Sequence, residues 1–287
     1  MPELPEVETI ARGLAKRVTG DVIESVWLGQ KKEPLRSPAA EIASTLEHSR
    51  IAAVRRMGKH IVIDLQRNGV ARTPSSAKGR KSKAIQPESA SAQWIVHLGM
   101  TGRLQVCDSQ DEVAKHTHAI AKLASGRELR FVDPRRFGRL SVATRFEATG
   151  IEPLEIELDE FITLFRGRKT PMKSALLNQK LLRGVGNIYA DESLFRAGIR
   201  PRRRASSVTR DQLAKLHQGL REVLTEAISL GGSSISDYVG ADGEEGFFQL
   251  QHRVYGREGE PCLVCKTPIK RVVIAGRSSH YCPKCQE

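Results

Sequence analysis

The sequence lacks any long hydrophobic run. No apolar stretch in its 287 residues approaches the roughly 18 residues that a membrane-spanning helix needs. The N-terminus also lacks the basic region followed by a hydrophobic stretch that marks a secretory signal. These two absences argue against a membrane protein or a secreted one. They predict a cytoplasmic protein, whose cysteines stay reduced.

Acidic residues are in short supply. The chain has 33 Asp and Glu against 46 Lys and Arg, which gives a formal net charge of +13 at pH 7. Such an excess indicates a polyanionic partner, with nucleic acid ahead of an anionic membrane surface. A basic surface that meets only solvent is the alternative at this point, because charge alone does not identify a partner.

Cysteine is scarce, and its placement is uneven. Four of the five cysteines form two Cys-x2-Cys pairs with 16 residues between them, namely Cys262, Cys265, Cys282 and Cys285. This spacing is typical of a structural zinc site, in which four thiolates complete the tetrahedron and leave no open position for chemistry. We therefore expect one structural Zn²⁺ as the cofactor. Two disulfides or unligated thiols are the alternatives, and a reducing compartment disfavours the first. Cys107 lies apart in a predicted strand and reads as a core residue.

The pattern of the chain changes twice, which predicts an α+β protein of two domains with an appendage. Residues 1–150 begin with an amphipathic helix from Pro5 to Val18 and continue with short strands separated by turns, as in a β-sandwich. The candidate strands are VIESVWL, RIAAVRR, HIVIDLQ, QWIVHLG, GRLQVC, ELRFV and GRLSVAT. Residues 151–245 favour helices, the longest opening at Thr209 with Gln212 as a capping box. Residues 246–287 hold the cysteines and a β-hairpin whose folding energy zinc would supply.

One segment interrupts the strands. Residues 71–92 are poor in apolar side chains, rich in Ser, Lys and Pro, and carry five basic residues. This composition predicts a flexible basic surface insertion. We hypothesise that it adds nonspecific affinity for DNA.

The first residues, MPELPEVETIARGL, allow two interpretations. Glutamates at a helix start ordinarily complement the positive end of the helix dipole. Alternatively, removal of Met1 leaves the secondary amine of Pro2 as the terminus, with Glu3 and Glu6 beside it. An α-amino group has a pKa of roughly 7.7–8.0 against about 10.4 for lysine, so more of it is free to act as a nucleophile at pH 7.

Five motifs occur together and in order: PELPEVE, HLGMTG, DPRRFG, GVGNIYADESLF and the four-cysteine finger. In this arrangement, over nearly the full length, the chain resembles bacterial formamidopyrimidine-DNA glycosylase. The resemblance implies an N-terminal β-sandwich, a helical domain with a helix–two-turn–helix motif, and a zinc finger. It also implies a monomer that acts on damaged double-stranded DNA in the bacterial cytoplasm, at the nucleoid. The implied activity is excision of oxidised purines, such as 8-oxoguanine opposite cytosine and formamidopyrimidines, followed by β,δ-elimination at the abasic site.

The resemblance assigns roles to individual residues. The implied catalytic residues are the nucleophile Pro2, the acid Glu3, the supporting Glu6, and Lys59, which is also placed to hold a phosphate. Glu8 stays an ordinary helix-start acid.

The implied DNA contacts are His97, Met100, Arg135, Phe137, Lys173, Asn187 and Arg277. Arg135 would bond the orphaned opposite base, while Phe137 wedges between base pairs and Met100 fills the gap. For Asn187 the residues themselves add support. Gly184 and Gly186 permit a close backbone approach, and the amides of the helix that starts there suit an anion.

Two rival functions stay open from the sequence. An endonuclease VIII-like glycosylase for oxidised pyrimidines would share the fold, although Leu4, Arg135 and Phe137 favour the purine enzyme. A noncatalytic zinc-finger damage-binding protein would need neither Pro2 nor Glu3. The ranking among oxidised purines is also open, because Ser236 stands where some relatives carry a basic residue.

Overall fold

The computed structural model describes residues 1–67, 91–233 and 246–287. The N-terminal part opens with helix α1 (Leu4–Val18), and a second helix, α2 (Ala39–Leu46), follows the first strand. The strands of this part are β1 (Ile23–Leu28), β2 (Ser49–Met57), β3 (His60–Arg67), β4 (Ala92–His97), β5 (Arg103–Asp108), β6 (Thr117–Leu123), β7 (Arg127–Val132) and β8 (Arg139–Ala143). They form two four-stranded antiparallel sheets, in the orders β1-β6-β7-β5 and β2-β3-β4-β8.

Helix α1 bridges the two halves of the molecule. Val7, Ile10 and Leu14 lie in a core shared with both sheets. Leu4, by contrast, packs into the core of the helical part. Because these apolar side chains recur at helical spacing, one face of α1 is buried along its length. The start of the chain is therefore fixed where the sheet part meets the helical part.

The helical part contains α3 (Leu158–Phe165), α4 (Met172–Leu176), α5 (Asn187–Arg196) and α6 (Arg210–Ser229). The predicted capping box at Thr209 and Gln212 begins α6. The buried positions of α6 follow the helical period and pack toward α5 and the rest of the helical core: Leu213, Leu216, Leu220, Val223, Leu224 and Ala227.

The cysteine-bearing segment contributes a hairpin of β9 (Lys270–Ile274) and β10 (Arg277–Tyr281). Glu192 of α5 anchors the chain that leads into it, because its buried carboxylate accepts the backbone N–H groups of Arg253, Val254 and Tyr255 at 2.8–3.1 Å. Arg200 adds a second tie, since its guanidinium donates to the backbone carbonyls of Gln286 and Pro283. The hairpin is thus held against the helical part.

The predicted α+β architecture is confirmed, with two omissions. The sequence interpretation missed β6, whose THAIAKL segment is buried on both faces and so lacks an alternating pattern. It also missed the short helix α2, which proline precedes and no side chain caps. Most of the predicted insertion at 71–92 lies outside the described residues, and its last residue, Ala92, begins β4. Ser236 also lies outside the described residues. The boundaries at 150 and 245 stay predictions. In the described ranges, no helix has both the length and the apolar character to cross a bilayer.

Candidate active site and DNA interface

Two glycines seat the start of α1 against the start of α5. The Leu4 N–H donates to the Gly184 carbonyl at 3.0 Å. A Cβ on Gly184 would lie 2.9 Å from the Leu4 side chain, and one on Gly186 would lie 2.1 Å from the carboxyl carbon of Glu3. Real Cβ contacts are never so short, so glycine is required at Gly186 to admit the Glu3 carboxylate. The glycines of the motif GVGN therefore allow the N-terminal residues Glu3 and Leu4 to pack against the start of α5.

Glu3 occupies the N-terminus of α5. Its Oε1 accepts the Ile188 N–H at 3.1 Å and its Oε2 accepts the Tyr189 N–H at 3.4 Å. The sequence interpretation assigned these helix-start amides to a DNA phosphate, whereas in the folded chain the anion that they face is Glu3. Burial raises the pKa of Glu3 to about 7, against the opposing effects of Lys59 and the two amides. A carboxyl group with this pKa can hold and release a proton near neutrality.

Glu6 lies beside Glu3 and is almost wholly buried, at 2% exposure. Its Oε2 accepts the Glu3 N–H at 2.8 Å, and its Oε1 accepts the Ser233 N–H at 2.8 Å. The Tyr189 hydroxyl donates to the same Oε1. Burial raises the pKa of Glu6, and these donors oppose the rise. Glu6 therefore connects α1, α5 and the segment that follows α6.

Basic groups complete this cluster. Burial lowers the pKa of Lys59, while the charges of Glu3 and Glu6 raise it. Burial also lowers the pKa of the Met1 amine. The charges of Glu3 and Glu6 raise this pKa, and those of Lys59 and Arg135 lower it. The predicted catalytic residues are thus electrostatic neighbours. The Met1 amine marks where the chain begins beside these carboxylates, and Pro2 is the next residue.

His97 ends β4, where its Nδ1 accepts the Gly99 N–H at 3.1 Å. Burial, together with the neighbouring His60 and Arg139, lowers the pKa of His97 to about 4. At neutral pH the ring is therefore uncharged, and the bond at Nδ1 leaves its proton on Nε2. His97 offers a neutral N–H donor.

The DPRRFG loop is built around Asp133, which is fully buried. Its carboxylate accepts the Thr101 hydroxyl at 2.5 Å and the Gly138 N–H at 2.8 Å. These bonds hold the two ends of the loop together, while the tip of the loop is exposed to solvent. Phe137 is 54% exposed at that tip, and the Arg135 guanidinium carbon lies 4.8 Å from the centre of the Phe137 ring. Met100, 38% exposed, lies on the turn that packs against this loop.

Lys173 does not lie where it was expected. Its side chain is fully buried, with Nζ 2.7 Å from Asp191 Oδ1, and it donates to the Ser278 carbonyl at 2.6 Å. Asp191 in turn accepts the His280 N–H at 2.9 Å. The predicted phosphate contact of Lys173 is therefore corrected. As folded, Lys173 fastens α4 and α5 to the finger hairpin instead of facing DNA.

Asn187 and Arg277 flank the same hairpin. Asn187 is partly exposed at the start of α5, where its Nδ2 donates to Ser278 Oγ at 3.4 Å. Arg277 is exposed and is the first residue of β10, paired with Ile274. It follows a tight turn made by Ala275 and Gly276, both with positive φ, so it lies just past the turn and not at the predicted tip. Its charge acts on the pKa of both Lys59 and Lys173.

The four finger cysteines form one cluster, with every Sγ within 4.8 Å of the others. The Sγ atoms of Cys262 and Cys285 are 3.9 Å apart, and those of Cys265 and Cys282 are 3.4 Å apart. A Zn–S bond of about 2.3 Å gives tetrahedral S–S edges of about 3.8 Å, so the cluster has the size of a Zn²⁺ site. The separations exclude disulfides, and all four cysteines are free thiols. The zinc prediction is confirmed.

Several residues of the site carried no recognised signal in the sequence. Asp133 belongs to DPRRFG, whose sequence predicts a turn and no role for this carboxylate. Tyr189 and Asp191, in IYAD, looked like ordinary helix residues, and Ser233 looked like loop. Their partners are distant in sequence, so only the fold shows the contacts. Glu8, the predicted helix-start acid, pairs with Arg12 and Arg56 at 2.7 Å.

Three family models match the chain in the order of these parts. They describe a formamidopyrimidine-DNA glycosylase N-terminal domain at residues 1–140, a formamidopyrimidine-DNA glycosylase H2TH domain at 149–239, and a zinc finger found in FPG and IleRS at 259–287. The chain belongs to the formamidopyrimidine-DNA glycosylase family.

Curated relatives agree over their whole length. The chain is 43% identical to formamidopyrimidine-DNA glycosylase of Solibacter usitatus over 292 residues, covering 100% of both chains. It is 35% identical to the enzyme of the same name from Listeria innocua over 297 residues, again covering 100% of both. Full coverage on both sides means that the glycosylase parts are present in this chain in the same order.

Solved structures share the fold. The MutM (FPG) protein of Thermus thermophilus matches with a TM-score of 0.82 and 39% identity, covering 99% of this chain and 98% of that one. Lactococcus lactis Fpg in complex with abasic-site DNA matches with a TM-score of 0.85 and 29% identity, covering 99% of each chain. The predicted sheet domain, H2TH domain and zinc finger all have counterparts in glycosylase structures.

Proposed function

We propose that the protein is a bifunctional DNA glycosylase of base-excision repair. In this proposal it removes oxidised purines, 8-oxoguanine opposite cytosine and formamidopyrimidines, and then cleaves the abasic site by β,δ-elimination. The observation that carries the proposal is the position of Glu3. A buried carboxyl group with a pKa of about 7 lies one residue from Pro2, on the amides of Ile188 and Tyr189. A noncatalytic binding protein has no use for that arrangement.

The proposed chemistry starts once Met1 is removed. The Pro2 nitrogen bonds to C1′ of the sugar as the bond from C1′ to the base breaks, and the base leaves with a proton. The prolyl nitrogen loses its own proton, and Glu3 protonates the ring oxygen, which opens the sugar to a cationic iminium. Loss of a C2′ proton expels the 3′ phosphate, and a second elimination expels the 5′ phosphate. Water then hydrolyses the iminium and frees Pro2.

The basic neighbours support both stages. Lys59 shares the electrostatic environment of Glu3 and the terminal amine, so it can hold a phosphate beside the reacting sugar or move a proton during elimination. His97 offers an uncharged donor from the end of β4. Asn187 and Arg277 approach from the helical side and the finger. These residues therefore border the cluster from both halves of the molecule.

The exposed tip of the DPRRFG loop supplies the parts that reading damaged DNA requires. A flipped nucleotide leaves a gap in the duplex, which Phe137 and Met100 would fill as apolar wedges. The Arg135 guanidinium rests on the Phe137 ring, so its orientation is restrained before DNA arrives. Its N–H groups would bond the orphaned cytosine, since arginine donates readily to acceptors on a base edge.

The surrounding context follows from this function. We infer a monomer that acts on double-stranded DNA in the bacterial cytoplasm, associated with the nucleoid through DNA binding. Domain boundaries near residues 150 and 245 are proposed on the same basis. The finger zinc supplies structural support and takes no part in the reaction, because four thiolates fill its coordination shell.

The test uses duplexes with 8-oxoguanine opposite cytosine or opposite adenine, and a duplex with an oxidised pyrimidine, each incubated with borohydride. We expect a covalent adduct with borohydride and, in parallel reactions without it, product ends with phosphates on both sides of the gap, both formed fastest on 8-oxoguanine opposite cytosine. Glu3→Gln should lose excision, while Glu8→Gln, the matched change on the same helix, should keep it. Faster reaction on the pyrimidine duplex would favour the endonuclease VIII-like alternative. No reaction on any duplex would refute the proposal.

A further inference from the structure

Glu6 is the junction of three chain segments. It accepts the Glu3 N–H from the start of α1, the Ser233 N–H from the segment after α6, and the Tyr189 hydroxyl from α5. The segment around Ser233 lies very close to it, since a Cβ on Gly232 would be 2.9 Å from Glu6 Oε1. The three donors come from three different segments, two of them on Oε1 and one on Oε2.

Tyr189 contacts both glutamates of the cluster. Its backbone N–H donates to Glu3 Oε2 and its phenol donates to Glu6 Oε1. The side chain is fully buried, and its ring packs on Phe248 with the ring centres 5.5 Å apart. A buried phenol restrained in this way can adopt few other orientations, so it fixes the carboxylate that it bonds.

Ser233 ties the same carboxylate to the chain that follows. It forms an antiparallel bridge with Phe247, and its Oγ pairs with His252 Nε2 at 3.2 Å. Gly232 accepts the Phe248 N–H at 2.9 Å. Residues 230–233 and 246–248 are therefore joined directly beside Glu6. These bonds hold the Ser233 N–H in place, as the contact with Phe248 holds the Tyr189 hydroxyl.

We propose that Tyr189 is a positioning residue for base excision, one that acts through Glu6. The phenol and the Ser233 amide hold the Glu6 carboxylate, and Glu6 Oε2 holds the Glu3 N–H. That N–H belongs to the peptide bond joining Pro2 to Glu3, so its orientation fixes the position of the Pro2 Cα, to which the prolyl amine is bonded. This inference rests on the proposed role of Pro2 as the nucleophile.

The charged and titratable groups around Glu6 come from several elements. Glu3 and the terminal amine directly precede α1, and Lys59 lies in the turn between β2 and β3. Tyr189 approaches from α5, and His252 approaches through Ser233. Loss of the phenol donor removes a hydrogen bond from the charged form of Glu6, so protonation of Glu6 becomes easier. The acid side of the pH–rate profile should then shift to higher pH.

The central experiment is Tyr189→Phe, which keeps the ring on Phe248 and removes only the hydroxyl. We expect single-turnover excision of 8-oxoguanine to fall on the order of tenfold or more, with an equal fall in the rate of borohydride adduct formation. The dissociation constant for a duplex with an uncleavable abasic analogue should change less than about twofold. Tyr281→Phe, which removes a hydroxyl from the finger hairpin, is the matched control and should keep the wild-type rate.

A double-mutant cycle separates positioning from a general loss of structure. If Tyr189 acts through Glu6, then Tyr189→Phe should cost little further rate in a Glu6→Gln background. Losses that multiply fully would overturn the inference, as would a wild-type rate and pH profile in Tyr189→Phe. Should Tyr189→Phe fail to fold, Glu6→Gln alone decides, because a wild-type rate there removes the link to Pro2. Failure of the wild-type protein to form any adduct would refute the proposed function instead.

Discussion

Burial of Glu3 should cost the protein stability at neutral and higher pH. In the folded chain its pKa is about 7, against an ordinary value of 4.5. The folded state therefore binds this proton more tightly than the unfolded state, and stability falls as the pH rises from 4.5 through 7. The difference between the two pKa values corresponds to about 3 kcal/mol when Glu3 is fully ionised.

The variant Glu3→Gln isolates this cost. Glutamine keeps an oxygen for the amides of Ile188 and Tyr189 but carries no charge, so the penalty disappears at high pH. At pH 5 the penalty is only about 1 kcal/mol, and at pH 8 it approaches the full 3 kcal/mol. Relative to wild type, Glu3→Gln should therefore gain about 2 kcal/mol of unfolding free energy between pH 5 and pH 8.

The assay is denaturant unfolding of both proteins with zinc saturated, at half-unit steps from pH 5 to pH 8. Glu8→Gln is the control, since Glu8 lies on the same helix but its carboxylate pairs with Arg12 and Arg56. Its difference from wild type should stay level over this range. A stability difference for Glu3→Gln that does not change with pH would refute the reasoning. The reasoning would also be refuted if the stability of Glu3→Gln relative to wild type decreased toward pH 8, because the pH dependence would then have the opposite sign.

Three further changes test the supporting structure. Gly186→Ala places a Cβ within the Glu3 carboxyl group, so single-turnover excision should fall about tenfold or more; an unchanged rate would show that the Glu3 seat is not required. Asp191→Asn breaks the buried pair with Lys173 and should cost roughly 3–5 kcal/mol of unfolding free energy, whereas a loss under about 1 kcal/mol would contradict that burial. Removal of zinc with a chelator should abolish binding of an abasic-analogue duplex, and binding should return on adding Zn²⁺; full affinity without metal would contradict a structural role for the finger.

Local pattern was sufficient for most of the fold. The apolar period of α1, the capping box of α6 and the alternating strands each lie within one segment, so the sequence predicts them directly. Strand β6 was not predicted because both of its faces are buried, so its sequence has no alternation of apolar and polar residues. The zinc site could be predicted from the sequence for the same reason as α1, because the identity and spacing of its cysteines are local features.

The site was predictable in its residues but not in its connections. Pro2 and Glu3 were found through composition and resemblance. The use of Gly186 to admit Glu3 was not, because the two residues are distant in sequence. Lys173 was misplaced for a related reason. A lysine in a basic chain suggests a phosphate contact until the fold shows Asp191 and the Ser278 carbonyl around it.

The most direct measurement is the identity of the residue that is joined to DNA. The protein, with removal of Met1 verified by intact mass, is trapped with borohydride on a duplex carrying 8-oxoguanine opposite cytosine, digested and sequenced by mass spectrometry. The account predicts that the sugar remnant is on the nitrogen of Pro2, in the peptide that begins PELPEVETIAR. A remnant on Lys59 or another lysine, or no adduct from a chain that begins at Pro2, would contradict it.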